Sequence, residues 1–219
     1  MPMHAESGSR CARLVTAIAV GAALGAPPVC LAAQGKAEFT PFVGAYIPAG
    51  NLIDESGAVV KQKTTVIFGG RVGVSITDRL GIEGSFGYAP SKLEFSDASG
   101  SADTSAHVLL ASARLLVGLG PAGKSSSWHL IVGGGLVSHG GAGWDAFEAA
   151  AGETVSGKTK FNGVAGIGGK FKVGSMVSVL VDVEDNLFSA KFSTSSGETQ
   201  SKFNNDIVAG LGLAISLGK

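Results

Sequence analysis

The chain has 219 residues, of which 45% are apolar and 16% are charged, with 17 basic and 17 acidic residues. This composition excludes a disordered protein, because the apolar content is high and the formal net charge is zero. The balance of charge also argues against a nucleic-acid binder, since there is no global field to attract phosphates. Glycine is abundant, with 34 residues, whereas ordinary usage is about 7%.

The first 32 residues are predicted to be a secretory signal peptide. Arg10 and Arg13 precede an apolar run over 14–24, and the small residues Cys30 and Ala32 occupy the −3 and −1 positions of a cleavage site. A membrane anchor is disfavoured because the run is far shorter than the ~20 residues of a spanning helix. We therefore expect a signal segment at 1–32 and one mature domain at 33–219.

The mature chain is predicted to lack thiols. Both cysteines, Cys11 and Cys30, lie in the segment that is removed. Acylation of Cys30 is disfavoured because the preceding residues, Pro27-Pro28-Val29, are a poor approach to a lipid-attachment site. Disulfides, cysteine-zinc sites and thiol catalysis are therefore not expected.

Two-residue alternation dominates the rest of the chain and predicts strands. In 65–76 apolar residues alternate with small and polar ones, the same pattern continues over 80–88, and only 77–79 separate the two. This is the pattern of a tight hairpin. Eight strands are predicted in all, at 37–49, 64–76, 80–90, 105–118, 127–137, 159–172, 175–189 and 202–217.

Short and long connections alternate between these strands. The short connections are 77–79, 119–126 and 173–174, and the long ones are 50–63, 91–104, 138–158 and 190–201. A meander with short turns at one end and long loops at the other is the arrangement of an outer-membrane barrel. The predicted fold is therefore all-β, an eight-stranded antiparallel up-and-down transmembrane β-barrel.

The polar face of the strands is predicted to line the lumen. It carries small residues with one or two charges per strand, which suits the narrow interior of eight strands better than a water-facing surface. The predicted lumen charges are Arg71, Glu83, Arg114, Lys170, Asp182, Glu184 and Asp206. The opposite face holds most of the aromatic residues, as expected for a lipid-facing girdle: Phe68, Phe86, Tyr88, Trp128, Phe161, Phe171 and Phe203. In the first strand, Phe39 and Val43 compete with Phe42 and Tyr46 for the outward positions.

Specific ion pairs are predicted from the hairpin register. With the turn centred on Asp78, Arg71 and Glu83 are diagonal neighbours on one face, and we expect them to pair. Lys170 is expected to pair with Asp182 or Glu184, and Arg114 with an acid from across the lumen. Such pairs would plug the interior.

The segment Ile76-Thr77-Asp78-Arg79-Leu80-Gly81-Ile82-Glu83, together with the signal segment and eight strands, resembles the small outer-membrane β-barrel domain family of the OmpA/OmpX type. The resemblance implies location in the outer membrane of a Gram-negative-type bacterium after export through the periplasm. It also implies contact with outer-membrane lipid and lipopolysaccharide, and assembly by the barrel-insertion machinery. Members commonly end on an aromatic residue, whereas this chain ends Leu217-Gly218-Lys219.

The sequence offers little catalytic or metal-binding chemistry. The mature histidines, His107, His129 and His139, do not have metal-ligand spacing. We expect no cofactor, no metal and no enzymatic activity. Trp144 and Phe147, in the longest loop, are the candidate residues for recognition of an extracellular ligand.

The predicted function is a structural or surface-interaction role in the cell envelope. The alternative is a narrow porin-like channel for small solutes, which would need a lumen lining of one continuous polarity. A lipid A-modifying enzyme ranks lower, because Ser138-His139 lacks the His-to-Ser offset expected of a barrel deacylase.

Overall fold

The computed structural model describes residues 37–55, 58–97, 100–120, 125–151, 155–191, 193–194, 197–198 and 202–217. The predicted signal segment at 1–32 lies outside the described residues. The elements in chain order are β1 (Ala37–Pro48), β2 (Asn51–Glu55), β3 (Ala58–Gln62), β4 (Thr65–Ser75), β5 (Leu80–Asp97), β6 (Gly100–Leu119), β7 (Ser126–Gly140), α1 (Ala142–Ala151), β8 (Thr159–Lys172), β9 (Val177–Ala190), β10 (Ser193–Thr194), β11 (Gly197–Glu198) and β12 (Lys202–Ser216).

Eight strands form a closed antiparallel ring. The order around the ring is β5, β4, β1, β12, β9, β8, β7 and β6, and β6 pairs with β5 to close it. The first and last strands meet along a continuous ladder, which includes Tyr46 opposite Val208. Closure leaves no unpaired edge in the ring, which is a requirement for a sheet that crosses a bilayer. The predicted eight-stranded up-and-down barrel is confirmed.

The two ends of the barrel differ in their connections, with the predicted short turns at one end and the predicted long connections at the other. At one end, here called the turn end, the hairpins are tight, and the Thr77 hydroxyl accepts hydrogen bonds from the backbone N–H groups of Arg79 and Leu80. At the other, the loop end, the predicted long connections contain further structure. β2 and β3 form a hairpin that pairs with β5, and α1 lies within the predicted 138–158 loop.

The prediction of a loop at 91–104 is wrong, because most of this segment belongs to β5 and β6. β5 and β6 continue as one ladder from Leu80 opposite Val117 to Asp97 opposite Gly100. The alternation persists there, with Leu93 buried and Lys92 exposed, so the strands extend past the rest of the barrel. Because water can hydrogen-bond the backbone groups that face away from the partner strand, this extension does not require a closed ring.

The two faces of the wall have opposite character. Val72 and Ile82 point outward with 57% and 54% of their surface exposed, whereas Arg71 points inward and is 2% exposed. In β1, Phe39 and Val43 face outward, and Phe42 and Tyr46 face inward. The polar face is therefore the lumen face, as predicted.

Within the described residues, no helix is long and apolar enough to cross a bilayer.

Candidate functional site: the lumen

Two arginines and three carboxylates meet in the middle of the lumen. Arg71 makes a two-pronged contact with Asp182, with Nη1 2.5 Å from Oδ2 and Nη2 2.9 Å from Oδ1. Its Nη2 also lies 3.1 Å from Oε1 of Glu184. That same oxygen accepts a hydrogen bond from Arg114, whose other terminal nitrogen donates to Glu83. We call these five residues the charge cluster.

The charge cluster is buried, and its members share carboxylate partners. The Arg71 and Asp182 side chains are 1% and 0% exposed, and the Arg114 side chain is 1% exposed. The Arg71 guanidinium carbon also lies 4.3 Å from the centroid of the Phe42 ring, which adds a cation–π contact. Buried charges are tolerated in this form because each has an oppositely charged partner to which it is hydrogen-bonded.

The predicted pairing of Arg71 with Glu83 is wrong. The register behind it is correct, with Arg71 opposite Ser85 and Gly73 opposite Glu83. Glu83 lies directly opposite Arg114 in the β5–β6 ladder, however, and its carboxylate is taken by that nearer guanidinium. Arg71 instead crosses the lumen to β9. The expectation that Arg114 meets an acid from across the lumen agrees with its contact to Glu184.

The predicted partners of Lys170 are also wrong. Its ammonium lies 2.5 Å from the carboxylate of Glu38, near the start of β1. Asp182 and Glu184 are already engaged by the two arginines, and Lys170 lies closer to the turn end than either. Glu38 was missed because its strand had no settled inward face in the sequence.

Asp206, the remaining predicted lumen charge, pairs with a tyrosine. The Tyr46 hydroxyl donates to the Asp206 carboxylate, and both residues are buried. Nearby, Asn162 donates to Asn186 at 2.8 Å, and Asn186 donates to the backbone carbonyl of Asp206 at 3.3 Å. Polar side chains thus line one side of the lumen above the charge cluster.

The lumen toward the loop end is otherwise apolar, and this affects the predicted recognition residues. The side chain of Trp144 on α1 is 1% exposed and packs against His139 and Phe147. The prediction that Trp144 is an exposed loop aromatic is wrong, because α1 turns its apolar side onto the barrel mouth. Phe147 is partly buried and stacks with Phe95. The buried apolar set at this level includes Tyr46, Leu52, Val60, Ile67, Ala89, Leu93, Val108, Val137, Val155, Phe188 and Val208.

Two voids lie along the interior. A cavity of about 120 Å³ lies at the turn end and is lined by His129, Lys170 and the lower side of the charge cluster. Above the cluster, a void of about 20 Å³ lies among Phe42, Ile67 and Leu110. The first volume is large enough for a few water molecules and the second for at most one.

The residues considered for catalysis do not come together. Ser138 and His139 lie on opposite faces of β7. The serine hydroxyl is hydrogen-bonded to the hydroxyl of Thr159, and the imidazole is buried against the ring of Trp144. Among the described residues, no group of three His, Cys, Asp or Glu side chains is placed to hold a metal ion.

Outside the barrel wall, an ion pair joins α1 to the residues just before β8. Glu148 accepts hydrogen bonds from the backbone of Val155 and, at 2.8 Å, from the ammonium of Lys158. The Lys158 ammonium, followed by the Val155 hydrogen bond, lowers the pKa of the Glu148 carboxyl. We call residues 141–158 the mouth segment.

These features define a class of protein: a small closed antiparallel barrel, apolar outside and packed with side chains inside. The sequence profile of the outer membrane protein beta-barrel domain matches residues 16–217. The chain belongs to this family.

The chain is similar to several solved outer-membrane proteins. The outer membrane protein OprG from Pseudomonas aeruginosa superposes with a TM-score of 0.65 at 11% identity, over 83% of this chain and 96% of that one. AlkL gives a TM-score of 0.51 at 14% identity, over 85% of this chain and 92% of that one. Outer membrane protein W from E. coli gives 0.48 at 17% identity, over 84% of this chain and 100% of that one. None of the curated proteins matches the chain by sequence.

Proposed function

We propose that this protein is a structural and surface-interacting barrel of the outer membrane whose lumen is plugged by its own side chains. The observation that carries the proposal is the charge cluster, in which Arg71 and Arg114 are each held by two carboxylates. Because Glu184 bridges both guanidiniums, the cluster links β4, β6 and β9 across the lumen. A hydrated ion could pass only by breaking several of these contacts.

The apolar layer toward the loop end supports the same role. Ile67, Val108, Val137 and Phe188 are each at most 2% exposed, and they offer no hydrogen bonds to a permeating ion or polar solute. A polar solute that passed the charge cluster would then have to shed its water among these side chains, which is unfavourable. Two barriers of different chemistry in series make a passive route for polar solutes unfavourable.

The surface role rests on the loop end. The β5–β6 hairpin and the β2–β3 hairpin project from the barrel wall at this end. Binding residues are often found on segments that a rigid scaffold positions in this way. In this assignment the loop end faces the exterior, the turn end faces the periplasm through which the chain is exported, and outer-membrane lipid and lipopolysaccharide contact the apolar wall. The barrel-insertion machinery would place it there, and an extracellular ligand would meet the hairpins.

The alternative is a narrow porin-like channel, and the cavity of about 120 Å³ at the turn end is the observation that favours it. For this cavity to become a pore, Arg114 or Arg71 would have to exchange its present carboxylates for others. We rank a lipid A-modifying enzyme below both, since Ser138 and His139 lie on opposite faces of their strand.

Deletion of the gene in the source bacterium tests the proposal. Cells without the protein should become more sensitive to detergent, because the envelope loses a structural component, while uptake of small solutes stays unchanged. Re-expression of the wild-type chain should restore detergent resistance. A fall in solute uptake on deletion, restored by the wild-type chain, would contradict the proposal and favour the channel.

A further inference from the structure

Three lysines lie together at the loop end, where β8 begins and β9 ends. Lys158 immediately precedes β8, Lys160 is the second residue of that strand, and Lys191 follows the last residue of β9. Asn162 lies opposite Phe188 in the ladder between these strands, so the start of β8 and the end of β9 are at the same height. We call Lys158, Lys160 and Lys191 the lysine rim. The charge cluster in the lumen does not use them.

Backbone geometry holds two of these positive charges close together. The Lys160 ammonium donates a hydrogen bond to the backbone carbonyl of Lys191, and the Lys191 ammonium is near enough to act on it by charge repulsion. Gly157 makes room for this arrangement, since a Cβ there would lie 2.7 Å from Nζ of Lys160. Like charges held side by side repel each other, and an anion bound beside them relieves the repulsion.

Among the described contacts, positive charge is in excess at the lysine rim. Glu148 on α1 lies 2.8 Å from the ammonium of Lys158, so these four side chains comprise three cations and one anion. The hydroxyl of Thr159, which lies between Lys158 and Lys160 in the sequence, is exposed and is 2.8 Å from the hydroxyl of Ser138. Ammonium and hydroxyl groups are common donors to phosphate oxygens. The chemistry of the rim therefore suits a phosphate.

Two projecting aromatic rings place the lysine rim at the height of lipid headgroups. Phe203 lies opposite Ser189 in the β9–β12 ladder, and Phe161 on β8 is level with Ser189 on its other side. The two phenylalanines are 71% and 85% exposed on the lipid-facing wall, and exposed aromatic residues mark the membrane–water interface. Lys191 is two residues beyond Ser189 toward the loop end, roughly 5 Å above the rings for a tilted strand.

We propose that the lysine rim binds a phosphate group of lipid A, while the rings of Phe161 and Phe203 contact its acyl chains. This site depends on the proposed function in one respect, the orientation that turns the loop end outward, where lipopolysaccharide forms the outer leaflet. The phosphates of lipid A lie just above its acyl chains, so a single lipid meets the lysines and both rings together. Apolar contact and charge attraction then act on the same molecule.

Native mass spectrometry of the protein, extracted from membranes and delipidated in a neutral detergent, tests the site. The wild-type chain should retain added diphosphorylated lipid A as a one-to-one complex, and should retain lipid A stripped of both phosphates at least about tenfold less. Equal retention of the two lipids would overturn the proposal. Inorganic phosphate in excess should displace little lipid A, since it has no acyl chains to contact the rings. Complete displacement would show a site for free phosphate and not for a lipid.

Paired variants assign the phosphate contact to the lysine rim. Lys160→Gln with Lys191→Gln should lower retention of diphosphorylated lipid A at least about tenfold, whereas Lys160→Arg with Lys191→Arg keeps both charges and should retain most of it. As the control, Lys61→Gln with Lys92→Gln removes the same charge from β3 and β5 and should leave retention unchanged. Equal losses in the two glutamine pairs, or no loss in the first, would contradict the proposal. Lipid retention in detergent does not depend on solute passage, so this result and the plugged lumen are tested separately.

Discussion

Replacing Asp182 by Leu should destabilise the barrel strongly, because it removes both oxygens of the two-pronged contact with Arg71. The guanidinium would keep only Oε1 of Glu184, which already accepts from Arg114. The Arg71 side chain is 1% exposed, so its guanidinium would be left with little solvation in place of the lost carboxylate. Leaving a buried charge uncompensated costs about 3–5 kcal/mol.

The double variant should recover most of that loss. Arg71→Met together with Asp182→Leu removes both charges and fills similar volume, and replacements of buried ion pairs by apolar residues are often close to neutral. We expect the double variant within about 2 kcal/mol of the wild type, and a coupling energy of at least about 2 kcal/mol. The measurement is the free energy of unfolding in urea of barrels refolded into lipid vesicles, followed by tryptophan fluorescence.

A second cycle provides the control for the first. Arg71→Met with Glu148→Gln combines a residue of the charge cluster with one that pairs with Lys158 instead, so the two share no partner and their coupling should stay below about 0.5 kcal/mol. Additive losses for Arg71 and Asp182, or a coupling between Arg71 and Glu148 as large as that between Arg71 and Asp182, would refute the arrangement of the cluster described above.

Three further outcomes are expected. Gly210→Ala should destabilise the barrel, since a Cβ there would lie 2.8 Å from Oδ1 of Asp182, whereas Gly163→Ala, with open space around it, should be close to neutral in the same unfolding assay. Trp144→Ala should cost about 3–5 kcal/mol, the usual price of truncating a buried aromatic side chain, measured in the same way. Lys158 lowers the pKa of Glu148, so their contact should stabilise the mouth segment above the pKa that a glutamate has in the unfolded chain, and this stabilisation should be lost as pH falls through the lowered pKa. Protease cleavage of the mouth segment should therefore accelerate at acid pH in the wild type. At neutral pH, cleavage should be faster in Glu148→Gln than in the wild type.

The faces of the strands could be predicted from the sequence because alternation is a local property. Arg71 and Glu83 were placed inside on the pattern of β4 and β5 alone, and the hairpin turn fixed their register. The ion pairs could not be predicted in the same way. Arg71 and Asp182 are 111 residues apart in the chain, and their contact depends on how the ring closes, which no single hairpin determines.

The structure of the loop end was predicted less well for a similar reason. The segment around Trp144 has helix-forming alanines and aromatic residues three apart, which favours a helix with one apolar face. The segment was predicted to belong to the loop at 138–158 instead, and burial of Trp144 depends on the barrel mouth that α1 covers. Likewise, the continuation of β5 and β6 to Asp97 and Gly100 was hidden because polar residues replace apolar ones on the outward face above the membrane.

The central claim, that side chains close the lumen, is tested most directly by single-channel recording of the refolded wild-type protein in a planar lipid bilayer, with a general porin in the same preparation as the positive control. We expect no step-like conductance from the wild type, because the charge cluster and the apolar layer above it lie in series. Regular, voltage-independent steps from the wild-type barrel would contradict the claim and establish an open pore.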